Sequence, residues 1–210
     1  MGLLSRAAPG PRCELAVVAL LSDEAHNYVR ALQVSLARTF GLALDQTATP
    51  HITLKLGFQA ADLEPFASYL DHLLLQEVEP FDICLTGFDA FPEGIVFMDV
   101  ARSAPLDSLR RRVVADLAER HGVPPYPLEG DAYRLHVTLA TDLSRRDLQR
   151  VREHLGGVRA EFRFELRALG LLCHTGGRWI TYRRGTLSRQ ASSAAVRADR
   201  ADAGPGESGS

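Results

Sequence analysis

Lysine is almost missing from this chain. Of its 24 basic residues only Lys55 is a lysine, so its place on a strand does not simply reflect a lysine-rich surface. Cysteine is scarce as well. Cys13, Cys84 and Cys173 are odd in number and far apart, which excludes a disulfide framework or a thiolate cluster and suits a reducing compartment. An excess of either charge is lacking: 24 basic against 26 acidic residues leave −2. Without a global positive field no DNA partner is expected, and any nucleic-acid contact would be local. No apolar run is long enough to cross a membrane. LAVVALL (residues 15–21) is too short for a signal-peptide core, follows Glu14 and has no small-residue cleavage site, so it reads as a first core strand. MGLLSR has Arg6 where a myristoylation signal needs Ser or Thr. H-x-x-x-H, H-E-x-x-H, P-loop and dinucleotide-binding glycine patterns are all absent. The expectation is a cytoplasmic monomer that uses no metal or other cofactor.

What is present is enough apolar residue, 46% of 210, to bury a core as one domain or two small lobes. Residues 1–12 read as a lead-in, 13–185 as the ordered body, and 186–210 as a disordered tail of Ser, Ala, Gly, Arg and Asp without periodicity. Within the body, a strand over 13–21 ends at Ser22, a helix N-cap followed by Asp23 and Glu24. Val29, Leu32, Leu36 and Phe40 then keep helical spacing up to Gly41. A strand from Thr49 to about Phe58 and a helix over 62–76 follow, then FDICLTGFDAF and GIVFMDV around a Pro-Glu-Gly turn. The grammar repeats with a helix over 103–121, the strand YRLHVTLA, and a helix opened by Ser144 and Asp147. RAEFRFELRALG reads as strand, and LLCHT-GG-RWITY as a hairpin on a two-glycine turn. The expected fold is α+β and bilobal: two pseudo-symmetric lobes, each an antiparallel sheet backed by helices, with a cleft between them. The polar motifs are expected on the central strand of each lobe.

Those motifs are TPHITLK (residues 49–55) and RLHVTL (134–139). Side chains alternate along a strand, so Ile52, Leu54 and Leu56 are expected on one face and His51, Thr53 and Lys55 on the other. Leu135, Val137 and Leu139 separate likewise from Arg134, His136 and Thr138. A phosphodiester suits two such polar faces. In-line displacement needs one group to take a proton from the attacking oxygen and another to protonate the departing one, and imidazole can do either near neutrality. Thr53 and Thr138 would donate hydroxyls to the non-bridging oxygens, and Lys55 and Arg134 would add positive charge.

The paired HITL and HVTL, in matching positions of a repeat, resemble the H-x-T-x motifs of the two-histidine (2H) phosphoesterase superfamily. PHITLK followed by Gly57-Phe58 is particularly similar to its 2′-5′ RNA ligase-like (LigT-like) branch. The resemblance spans residues 13–185. It implies metal-independent work on 2′,3′-cyclic phosphates or 2′-5′ linkages, with His51 and His136 catalytic and Thr53 and Thr138 phosphate ligands. The implied partner is a nucleotide or RNA end. Two rival readings are a non-catalytic sensor of nucleotide phosphate and a reversible, ATP-independent RNA ligase.

The remaining polar residues read more plainly. His26, His72, His121 and His154 fall in or at the ends of helices, outside the apolar stripes. Arg110-Arg111-Arg112 reads as a solvated helix face, and Asp147 as a capping residue. His174 and Trp179 pair across the expected hairpin and share a face with Leu172 and Thr181. That face could line the cleft, where Trp179 would stack a base, although a core tryptophan is the commoner arrangement.

Overall fold

The computed structural model describes residues 12–42, 49–75, 78–159 and 161–187. The lead-in before Arg12 and the tail beyond Leu187 lie outside the described residues, as does the helix end expected at Gln76. The elements, in chain order, are β1 (Cys13–Leu20), α1 (Asp23–Phe40), β2 (His51–Ala60), α2 (Glu64–Leu75), β3 (Phe81–Phe91), β4 (Ile95–Val100), α3 (Ala104–His121), β5 (His136–Ala140), α4 (Arg145–Leu155), β6 (Phe162–Leu166), β7 (Ala168–Thr175) and β8 (Arg178–Thr186), with a 3-10 turn at Pro127–Glu129 before β5. They form two antiparallel four-stranded sheets of order β2-β1-β7-β8 and β5-β4-β3-β6.

Local chemistry sets these boundaries. The Ser22 hydroxyl accepts from the Ala25 amide, and Gly41, at φ 70°, ends α1 in the left-handed region, where a Cβ is costly. Ser103 caps α3 in the same way. Ser144 opens α4 by accepting from the Asp147 amide at 3.1 Å while its hydroxyl donates to the Asp147 carboxylate at 2.7 Å. Gly176 and Gly177, at φ 57° and 75°, make the primed turn of the β7–β8 hairpin.

Leu15, Val17 and Ala19 face a large core that takes apolar residues from both sheets and from all four helices. Ala16, Val18 and Leu20 face the other way, into a small cluster with Ala168, Leu172 and Trp179. β1 is thus apolar on both faces because it is an inner strand. The helices bind the sheets across the molecule: α1 packs on β5 and β6, and α3 on β2.

Two features differ from the sequence expectation. RAEFRFELRALG divides at Arg167, so that β6 pairs with β3 in one sheet and β7 with β1 in the other. The motif strands β2 and β5 are edge strands of their sheets, not central ones. Alternation reports which face a side chain takes, whereas strand order depends on long-range pairing that it does not encode.

Candidate active site

β2 and β5 approach each other along their free edges, and each edge is closed by the other lobe. The buried amide of Gln33, on α1, donates to the Thr138 carbonyl of β5 at 3.0 Å. The Glu129 carboxylate, from the segment between α3 and β5, accepts from the Leu56 amide of β2 at 2.7 Å. These bonds satisfy backbone groups that an edge would otherwise expose. They also hold the two motif strands side by side.

His51 and His136 are held alike. The Nδ1 of His51 lies 2.7 Å from the Thr49 carbonyl and that of His136 2.8 Å from the Arg134 carbonyl. A carbonyl only accepts, so each Nδ1 carries hydrogen and each neutral ring presents an unprotonated Nε2. Burial is the main force lowering the pKa of both imidazoles. For His51 the Thr49 carbonyl opposes the shift and the charge of His136 adds to it. For His136 the hydrogen bond to the Arg134 carbonyl and the charge of Asp99 oppose it, and the charge of Arg134 adds to it. The two rings therefore lie within electrostatic reach of each other.

Cross-strand partners share a face. His51 is opposite Leu20 and Thr53 opposite Val18, so both look out over the small apolar cluster. On β5, His136 is opposite Asp99 and Thr138 opposite Phe97. The His136 ring packs 4.9 Å from Phe97 and 5.2 Å from Phe91, centroid to centroid. The structure thus brings His51, Thr53, His136 and Thr138 together along one seam.

Lys55 leaves the group. The β1–β2 register slips between Thr53 and Lys55, so that Lys55 pairs with Val17 on the core face. The bulge adds one residue and reverses the alternation that had put Lys55 beside Thr53. The residue is 1% exposed, and its ammonium meets Glu129 at 2.8 Å, with the Tyr126 amide on the same carboxylate at 2.7 Å. Lys55 therefore does not share the face of His51 and Thr53 that was expected of a phosphate ligand, and its charge is already matched.

Arg134 is also corrected. Its guanidinium spans Asp89, at 2.7 Å, and Asp99, with Nε on Asp99 at 2.8 Å, and it lies over the Phe97 ring. With donors committed to two carboxylates, it lacks the open charge expected for a phosphate. Its backbone carbonyl orients His136.

The arginine run divides as well. Arg111 is exposed, but Arg110 is 2% exposed and donates to the carbonyls of Glu129 and Gly130 at 2.9 and 3.0 Å. Its place on α3 beside Leu109 and Val113 turns it onto the Glu129 segment instead of solvent.

Trp179 does face the same side as His51 and Thr53, stacked at an angle 5.3 Å from His174. It sits at the far end of the sheet, on β8.

Three neighbours escaped the sequence reading. Asp99, the penultimate residue of β4, lies on the face of Phe97, where alternation in GIVFMDV would have found it. His26, in the first turn of α1, lies 3.4 Å from the Thr49 hydroxyl, a contact between separate elements that no local pattern signals. Tyr133, three residues before His136, has a buried hydroxyl without a hydrogen-bond partner of standard geometry. Its pKa is pushed up to about 12, mainly by burial and then by Glu129, while Arg110 and Thr53 oppose the shift. Among the described residues no three His, Cys, Asp or Glu side chains are grouped to hold a metal ion, and no helix is long and apolar enough to cross a membrane.

Two sheets meeting at paired H-x-T edges define a fold shared with known structures. TT0787 of Thermus thermophilus superposes with a TM-score of 0.56 at 14% identity, covering 84% of this chain and 99% of that one. LigT of E. coli in apo form gives 0.55 at 15%, covering 86% and 100%, and LigT complexed with 3′-AMP gives 0.54 at 16%, covering 85% and 99%. Among curated protein sequences none matches significantly. A sequence model of the 2′-5′ RNA ligase superfamily matches residues 21–178, and the chain belongs to that superfamily of two-histidine phosphoesterases.

Proposed function

We propose that the protein is a phosphodiesterase acting on a 2′,3′-cyclic phosphate or a 2′-5′-linked nucleotide or RNA end, with His51 and His136 as its acid–base pair. The observation that carries this reading is the matched restraint of the two rings, each with Nδ1 on the carbonyl two residues back and Nε2 left for substrate. One Nε2 takes a proton from the attacking water as its oxygen bonds to phosphorus. The other ring, entering as imidazolium, protonates the ribose oxygen as the P–O bond breaks. Thr53 and Thr138 donate to the non-bridging oxygens as negative charge accumulates there. Trp179, on the face of Thr53, would stack a base of a longer substrate. LigT has been solved with 3′-AMP, NADP+, ATP and phosphate, which favours a nucleotide as the substrate here too.

The test is a panel of nucleoside 2′,3′-cyclic phosphates and 2′-5′ dinucleotides, with product phosphate position read by chromatography. Turnover should persist in EDTA, and His51→Ala and His136→Ala should each lower kcat by roughly 100-fold or more, the scale of general acid–base catalysis. Full activity in either variant, loss of activity in chelator, or tight binding without product would overturn the assignment. Joined 2′-5′ products from a cyclic end and a 5′-hydroxyl end would indicate ligation instead.

A further inference from the structure

Beside His51 lies a hollow that the two-histidine chemistry does not use. It has a volume of about 350 Å³, and its lining includes Asp23, His26, Thr49, Pro50, Thr181 and Arg184. Thr49 and Pro50 immediately precede His51, and Leu20, its partner across β1, also lines the hollow.

The register explains why Arg184 reaches it. Thr53 is opposite Val18, Val18 opposite Gly170, and Gly170 opposite Arg184. The four residues form one row across the sheet, on the face that carries His51. Gly170 contributes no side chain, and a Cβ there would press on Leu20 and Val18 at 3.2–3.3 Å. Leu20 and Val18 fill the space above Gly170, so the row has an apolar middle with a hydroxyl at one end and a guanidinium at the other. Thr53 and Arg184 stand three strand spacings apart, about 14 Å between backbones, and an extended arginine shortens that gap from its own side.

Arg184 and Asp23 are the charged residues that line the hollow, and the charge of Arg30 also reaches its His26. Arg183, next in sequence, is paired with Asp71, whereas Arg184 makes no ion pair among the described residues. His26 has its pKa lowered by burial first, then by the charge of Arg30, with Asp23 opposing and Arg184 adding a further lowering effect. After burial, the two guanidiniums together outweigh the single carboxylate, Asp23, at this imidazole.

We propose that this hollow is a second anion subsite, in which Arg184, helped by His26 and the Thr49 and Thr181 hydroxyls, binds the phosphate on the 5′ side of the nucleoside whose 2′,3′-phosphate is processed. The inference rests on the phosphodiesterase reading for the identity of the scissile group. It narrows the substrate class to ends whose terminal nucleoside also carries a 5′ phosphate, free or joined to the chain. A guanidinium offers a bidentate fork that matches phosphate oxygens.

The experiment compares adenosine 2′,3′-cyclic phosphate carrying a 5′-hydroxyl, the same compound with a 5′-monophosphate, and the dinucleotide whose 5′ neighbour is joined by an ordinary phosphodiester. The wild type should favour both phosphate-bearing substrates in kcat/KM by roughly 10-fold or more, the scale of one charge-assisted contact. Arg184→Gln should collapse that preference toward unity, Arg184→Lys should keep part of it, and Arg111→Gln on exposed α3 should leave it intact. A preference for the monophosphate alone would assign the subsite to a terminal dianion, and a preference for both would assign it to a chain phosphate. Equal turnover of all three by the wild type, or an unaltered ratio in Arg184→Gln, would overturn the proposal.

Calorimetric binding of adenosine 5′-monophosphate against adenosine reads the subsite separately. Tighter binding of the monophosphate that disappears in Arg184→Gln supports it even if no substrate is turned over, which would sink only the phosphodiesterase reading. Equal binding of the two ligands counts against the subsite whatever the catalytic result.

Discussion

His51 and His136 owe their usefulness to a bond that each makes backwards along its own strand. The carbonyl two residues earlier fixes the tautomer, and burial then makes the neutral form the resting one. The consequence can be read in a pH profile. Both pKa values lie below the ordinary histidine value of about 6.5, and the proposed reaction needs one ring protonated and one neutral. The kcat/KM profile, which reports the free enzyme, should therefore be bell-shaped with its maximum on the acid side of that value. In the complex a bound phosphate favours imidazolium, so the kcat profile should move to higher pH. A kcat/KM maximum above pH ~7, or identical profiles for the two parameters, would contradict this arrangement. The residues in this pair were legible because H-x-T appears twice and strand alternation is strict over three residues. Lys55 and Arg134 were misread for different reasons. A bulge cancels alternation without any local sign in the sequence, and the two aspartates that occupy Arg134 come from β3 and β4, which only the folded sheet brings alongside.

At the scale of elements, the unusual contact is the one between β2 and the segment that precedes β5. Glu129 accepts from an ammonium and two backbone amides, and the ion pair is buried on both sides. Removing one partner strands the other charge away from water, whereas removing both charges with volume kept is far milder. Glu129→Ala should therefore lower stability by about 3–5 kcal/mol, measured as a shift of the urea midpoint at constant slope. The double variant Lys55→Met/Glu129→Gln should recover most of that loss, because Gln keeps an acceptor for a backbone amide. Since Lys55 faces the core, the double variant should also retain the wild-type KM. A large rise in KM in a stably folded double variant would return Lys55 to the substrate. The helices and most strands were readable from caps, turn glycines and apolar spacing, but these edge closures were not. Gln33 and Glu129 look like ordinary polar residues in sequence, and their partners are backbone groups of the opposite lobe.

The whole molecule behaves as one body, because apolar side chains from both sheets and all four helices enter a common core. Chemical unfolding should accordingly give a single transition by fluorescence and circular dichroism; separated transitions would mean that the lobes unfold independently. The midpoint should depend on pH in a definite direction. His26, His51 and His136 all have folded pKa values below the unfolded one, so near neutrality and below, the unfolded chain binds more protons. Stability then rises with pH. The loss begins as pH falls through the unfolded value, about 6.5, and levels off only below the lowered folded values. His51→Gln/His136→Gln should flatten that slope between about pH 7 and 5, as read from urea titrations across that range.

The passage at Arg167 bears on how the protein is made. Strands β3 to β6 form one sheet from a continuous stretch of chain, while β1 and β2 must wait for β7 and β8 to complete theirs. During synthesis from the N-terminus, the sheet containing His136 can close first. The ribbon carrying His51, although translated earlier, stays two strands wide until the last hairpin leaves the ribosome. An isolated two-stranded ribbon is marginal in water, so the first half of the proposed catalytic pair to be translated is the last to be built. A chain stalled before Ala168 would carry both histidines and lack the sheet that aligns them.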